Sequence, residues 1–124
     1  MSSQKDNFFN LHDESQGLHR VLAEGLNTRI FAGDQAMVSV VTVDPGAMGT
    51  MHHHPEEQWG LLLEGSVTRY QGDEVFEVSA GDFWRTPGGV PHTMKGGPNG
   101  AKVLDIFAPP REAYKKAGSG FASD

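Results

Sequence analysis

The sequence predicts an all-β fold on three observations. Its apolar runs are short, none long enough to make a convincing helix. They are rich in β-branched and aromatic residues, which suit a pleated, half-buried surface. Gly, Asp and Pro punctuate them at regular intervals, as in Asp44-Pro45-Gly46, Gly72-Asp73 and Gly81-Asp82, and such clusters mark the turns between strands.

Residues 1–17 read as a polar, irregular arm whose first few residues should be loose and whose apolar group, Phe8, Phe9 and Leu11, could dock on a barrel. A single domain is expected over 18–124, since 124 residues suffice for one core and a second is improbable at this length. The successive strand candidates are 18–25, 27–34, 36–46, 49–55, 58–65, 66–73, 74–82, 83–89, 90–97 and 101–110, each an apolar run closed by a turn residue. Only the stretch 111–118 (REAYKKAG), following Pro109-Pro110, has the composition of a helical turn.

Composition narrows the function classes. The chain has no cysteine, which excludes disulfides, thiolate zinc sites, iron–sulfur clusters and cysteine nucleophiles, so any metal must be held by nitrogen and oxygen. A formal net charge of −6 with scattered Lys and Arg argues against nucleic acid as a partner. The sequence has neither an apolar span nor a secretory leader, and the expectation is a cytoplasmic protein without membrane contact.

Two blocks carry the chemistry. In Gly46–Gly65 the glycines frame His52, His54 and Gln58, and in 81–92 Gly81 is followed by Pro87, Gly89 and His92. Residues two apart on a strand share a face, so His52 and His54 project together while His53 projects the other way. The Pro55-Glu56-Glu57 segment would turn the chain and bring Gln58 to the same point, and the Pro87–Gly89 turn would return it for His92. Four donors then converge on one metal ion, whereas His12, His19 and His53 are expected to be exposed or satisfied.

This pair of blocks resembles the two-part signature of the cupin superfamily. The resemblance implies a double-layer β-sandwich, or jelly roll, of about six to eight strands with a metal at the mouth of the barrel. Cupins most often have glutamate where this chain has Gln58. A neutral amide leaves a divalent ion with its full charge, which favours Lewis-acid work on an anionic ligand over oxygen chemistry. Gly96 stands where the second block usually closes on asparagine, which puts the local turn in question.

Near the end, Asp105 and Phe107 share one strand face and Leu104 and Ile106 the other. If the second pair packs against the opposing layer, Asp105 points into the barrel, where a carboxylate is costly unless it is paired, solvated or working as an acid or base. Arg111 could clamp a substrate carboxylate through its planar fork, or pair with Asp105 to close the barrel mouth. The His pair with Pro, Glu and Gln, together with Asp105, Phe107 and Arg111, resembles the pectin-degradation cupins of the KdgF type, which open 4,5-unsaturated monouronates to linear keto sugars. That resemblance implies a metal on His52, His54, Gln58 and His92, with Asp105, Phe107 and Arg111 handling substrate.

The leading expectation is a metal-dependent enzyme acting on a small anionic sugar, with Asp105 and Arg111 catalytic and Phe107 and Arg111 against the substrate. Zinc, nickel, iron, manganese and cobalt all suit imidazole with an amide oxygen. A non-catalytic, metal-containing binding cupin is the alternative, and a dioxygenase a third reading that Gln58 disfavours. Edge strands left open by such a barrel predict a homodimer.

Overall fold

A computed structural model of the chain describes residues 4–122. Seven strands follow one another: β1 (Leu18–Ala23), β2 (Leu26–Ala32), β3 (Met37–Val43), β4 (Glu57–Gln71), β5 (Glu74–Ser79), β6 (Phe83–Thr86) and β7 (His92–Ala108). Every neighbouring pair is antiparallel, in the order β1-β2-β3-β7-β4-β5, with β6 on the free side of β4.

The pair β4·β7 organises the barrel. It runs from Glu57 opposite Ala108 to Gln71 opposite His92, with register shifts between Leu62 and Glu64 and between Gly65 and Val67. Such bulges bend a ribbon and sharpen its twist, so one half of the pair serves each layer. The first half of β4 lies between β7 and β6, and the second between β7 and β5. Gly65 sits at the crease with φ +80°, and a Cβ there would meet the carbonyl oxygen of Gly100 at 2.0 Å, so no other residue fits.

Here the structure differs from the pattern of the sequence. The runs 58–65 and 66–73 are not two strands joined by a turn but one strand with a bulge, and 90–97 and 101–110 likewise merge into β7. The run 49–55 forms no regular strand; single bridges, Met48 to Lys95 and His52 to His92, attach it to β7. Gly96 proves a fitting substitute for asparagine, because a Cβ there would lie 2.3 Å from the carbonyl oxygen of Asp44 in the turn it abuts.

Between the layers lie Leu26, Ile30, Met37, Val41, Val43, Leu62, Val67 and Val103. Leu104 and Ile106 do not pack against the opposing layer as expected. They face outward, where Ile106 is exposed and Leu104 lines an outer groove with Phe9, Phe31 and Leu63. The arm docks through one of its aromatic residues: the Phe9 ring lies 4.7 Å from that of Phe31, whereas Phe8 remains exposed. Arg29 donates to the carbonyls of Leu11 and Asp13 and fixes the arm there. The loose start expected of the arm falls on residues 1–3, outside the described residues, and Gln4–Asn7 forms a short 3-10 turn.

The C-terminal segment closes one end. The helical turn expected after the prolines is a single 3-10 turn, Glu112–Lys115. Buried Arg20 on β1 donates to the carbonyls of Ala113, Lys116, Ser119 and Gly120, and the Gly120 amide donates to Val21. The tail thereby lies along the outer edge of β1 and covers part of it. Among the described residues, no helix is long and apolar enough to cross a membrane.

Candidate metal centre

His52 and His92 stand opposite each other and exchange backbone hydrogen bonds of 3.1 and 2.9 Å, which sets their rings 4.4 Å apart. His54 reaches the same point from two residues on, and the exposed His53 between them points away. The turn beyond is locked to this segment: the Gly89 amide donates to the His54 carbonyl at 2.8 Å, and a Cβ on Gly88 would strike the Pro55 carbonyl oxygen at 2.2 Å. One ligand atom from each of His52, His54 and His92 lies within 4.8 Å of the others.

Hydrogen bonding fixes the tautomers. Each Nδ1–H donates to a carbonyl two residues away: His52 to Thr50 at 2.7 Å, His54 to Glu56 at 3.0 Å and His92 to Val90 at 2.9 Å. A carbonyl can only accept, so the proton of each neutral ring resides on Nδ1 and Nε2 presents a lone pair. The Nε2 of His92 is buried without a partner. That of His54 faces the Gln58 Oε1 at 3.0 Å, two acceptors in contact. A cation coordinated by both would turn that repulsion into attraction, and backbone partners on the remote nitrogens are how metal-binding histidines are oriented. The donor set therefore fits a divalent transition metal held by three imidazoles and an amide oxygen.

Electrostatics keep the imidazoles neutral. Burial, assisted by the Arg111, His54 and Arg69 charges, lowers His52 to about 4. Burial with Arg69 takes His92 to about 2, and burial with Arg111 lowers His54. Neutral rings are the form that binds metal.

The wall around these nitrogens comes from both layers. Gln58, Phe107 and Asp105 are supplied by β4 and β7, and Arg69 and Met94 by the second half of the same pair. Asp105 is buried with no partner on Oδ1. Burial raises its pKa to about 6, against the opposing pull of Arg69, the Gln58 amide and Arg111. The enclosed space is about 20 Å³, room for a water or an ion, because Phe121 of the tail stacks on His52 with ring centres 4.1 Å apart.

Two layers, a histidine trio at the barrel mouth and the paired glycine-framed blocks agree with one further finding: residues 39–107 match the family model described as Cupin domain. The chain belongs to the cupin family. This cupin resembles solved structures along nearly its whole length. An RmlC-like cupin from Shewanella frigidimarina superposes with a TM-score of 0.74 at 24% identity, covering 86% of this chain and 96% of that one. KdgF from Halomonas sp. gives 0.73 at 24%, covering 82% and 94%. At that identity the likeness is one of fold. Oxalate decarboxylase OxdC of Bacillus subtilis is 34% identical over 68 residues, 51% of this cupin and 18% of that protein. A mannose-1-phosphate guanylyltransferase of Salmonella muenchen is 34% identical over 68 residues, 53% of this cupin and 14% of its own length. The chain thus spans less than a fifth of these curated relatives.

The structure brings His52, His54, Gln58, His92, Asp105 and Phe107 to one cavity or its wall, with the Phe107 ring 5.5 Å from that of His54. Arg111 is placed differently from expectation. Among the described residues it forms no ion pair with Asp105; its Nη2 donates to the carbonyls of Phe121 (2.6 Å) and Ala122, and its Nε lies 3.8 Å from Glu56. The guanidinium stacks 4.1 Å from the centre of the buried Tyr114 ring. Four residues near the centre escaped the sequence reading: Arg20, Arg69, Tyr114 and Phe121. Only a long-range contact reveals them.

These shifts make the stability of the chelated protein depend on pH. His52 and His92 have folded pKa values below the usual 6.5, so their contribution is complete above that value and is lost as pH falls toward 4 and below. Asp105 has the opposite sign, being raised, and relieves part of the loss between pH 6 and its ordinary 3.8. With three depressed imidazoles against one carboxyl, the melting temperature of the chelated protein should fall between pH 7 and pH ~4.5. A flat profile over that range would contradict the burial of neutral histidines.

Proposed function

We propose that this cupin is a metal-dependent enzyme that opens the ring of a 4,5-unsaturated monouronate to a linear keto sugar. The observation that carries the reading is Asp105: a buried carboxyl with a free oxygen, raised to about 6, on the wall of the cavity that holds the three imidazole lone pairs. A group poised near neutrality can take a proton and give it back, which this reaction requires.

The reaction is an isomerisation. The anomeric hydroxyl loses its proton and becomes a carbonyl, the ring C–O bond breaks with its electron pair forming an enolate, and the enolate carbon takes up a proton to leave a ketone. No water or second substrate is consumed. A divalent ion, when bound, supplies Lewis-acid polarisation of the sugar oxygens. Asp105 receives the hydroxyl proton and returns it to carbon, and Phe107 packs against the sugar. For Arg111, engagement with the tail carbonyls supports a positioning role, keeping Tyr114 and Phe121 over the site, in place of a direct hold on the substrate carboxylate. The enclosed space of about 20 Å³ is too small for a sugar, so this reading requires Phe121 to leave its stack on His52.

The likeness to KdgF supports this reading through the shared barrel, and the similarity to oxalate decarboxylase supports anionic ligands in general. The closed mouth favours a second reading, a binding cupin that holds a small anion without turning it over. The test is a panel of 4,5-unsaturated monouronates offered to metal-loaded protein, followed by loss of their ultraviolet absorbance. We expect absorbance loss with formation of the keto sugar for at least one. Tight binding without loss would favour the binding cupin.

A further inference from the structure

We infer that Arg69 is the anion clamp of this cavity, the side chain that receives the carboxylate of a small ligand beside the metal. The inference rests on the proposed function for the ligand's being a uronate, but not for its being a carboxylate.

Arg69 lines the same cavity as His52, Gln58, His92 and Asp105 while being only 2% exposed. A guanidinium carries five N–H donors, and burying them without acceptors is costly. Here Nη2 donates to Thr86 Oγ1 at 2.9 Å, and Nε is buried with no partner. Asp105 acts on it through its charge but makes no direct contact: no ion pair joins the two among the described residues, and Asp105 Oδ1 is itself unpartnered. The cavity wall therefore holds a buried cation with an unused donor, Nε, and a separate acid with an unused acceptor. With a divalent ion added the site carries a net positive charge, which an anionic ligand would offset.

The surroundings hold the fork rigid. Thr86 passes the hydrogen bond on to Gln71 Oε1 at 2.7 Å, which fixes the hydroxyl as an acceptor toward Arg69. The Trp84 indole underlies the guanidinium at 5.5 Å, and it can lie there because its neighbour across the sheet is Gly60, where a Cβ would meet the indole at 2.4 Å. A fork oriented in advance by a hydroxyl and an aromatic face loses little freedom on binding a carboxylate. Arg111, the other buried guanidinium nearby, does not line this cavity: its Nη2 donates to the tail carbonyls, and its Nε, which like Nη1 makes no hydrogen bond, lies 3.8 Å from the Glu56 carboxylate.

The test uses cobalt-loaded full-length protein titrated with acetate and, separately, with saturated galacturonate and with galactose as its uncharged counterpart, by calorimetry and by the cobalt absorption spectrum. The parent should bind acetate, and should prefer galacturonate to galactose at least ~10-fold. Arg69→Met should bind metal normally yet weaken acetate by about 10-fold or more and abolish the preference for the acid sugar. Arg69→Lys, which keeps the charge and the stem should the first variant fold poorly, should lie between. Lys95→Met, at an exposed position of β7 that does not line the cavity, should retain the preference. Parent-like acetate affinity in either folded Arg69 variant, or no acetate binding by the parent, overturns the clamp. Acetate binding that depends on Arg69, without any galacturonate binding, would leave the clamp standing and remove the uronate reading.

Discussion

Replacing His52 and His54 together with alanine is expected to abolish metal binding while leaving the barrel folded. Two of four donors are removed, and the remaining pair, Gln58 and His92, cannot complete a coordination sphere, so affinity should drop by more than the roughly 10–100-fold that loss of an outer-shell partner costs. Neither ring belongs to the apolar core built from Leu26, Val41, Leu62 and Val103, and the turn that carries them is anchored through backbone hydrogen bonds. Elemental analysis after purification in added metal should give about one equivalent in the parent and almost none in the double variant. The His53→Ala protein should match the parent, since that side chain is exposed on the opposite face. Stoichiometric metal in the double variant would show that the three Nε2 lone pairs serve another purpose.

Asp105→Asn should separate chemistry from structure. The amide keeps the shape but cannot carry the proton, so turnover should fall by roughly a hundredfold or more, the usual contribution of a positioned acid–base group. Stability should move the other way. The folded pKa of Asp105 is raised, so at neutral pH its ionised form opposes folding, and a neutral isostere removes that cost. The melting temperature of the variant should therefore equal or exceed that of the parent, with metal content unchanged. A large drop in melting temperature, or parent-level turnover, would make Asp105 a structural residue.

The parts of the site that were legible in the sequence are those fixed by local geometry. Alternation along the 52–54 segment puts two imidazoles on one side and His53 on the other, and it holds although the segment is tied to β7 by single bridges rather than a full ladder. Asp105 and Phe107 face inward for the same reason. Arg69 was hidden by the bulge. The buried positions of β4 are even from Gln58 to Leu62 and odd from Val67 to Arg69, and a pattern of period two gives no warning of where its parity switches. The same crease explains why the halves of β4 and of β7 read as separate strands, for Gly65 and the glycines near Gly96 look like turn signals whether the chain reverses or only bends. Arg20 and Phe121 were beyond reach for a different reason. Their partners lie at the far end of the chain, and the packing of a tail against the first strand leaves no local signature.

Metal-dependent ring opening at this cavity can be followed by titrating chelated protein with a divalent metal while recording loss of absorbance from a 4,5-unsaturated monouronate. The stripped protein should show no turnover, and added metal should give a linear rise with a break at one equivalent per chain, with the Asp105→Asn protein taking up the same equivalent yet staying slow. Turnover by the stripped protein, or a full equivalent of bound metal with every uronate unchanged, would contradict it.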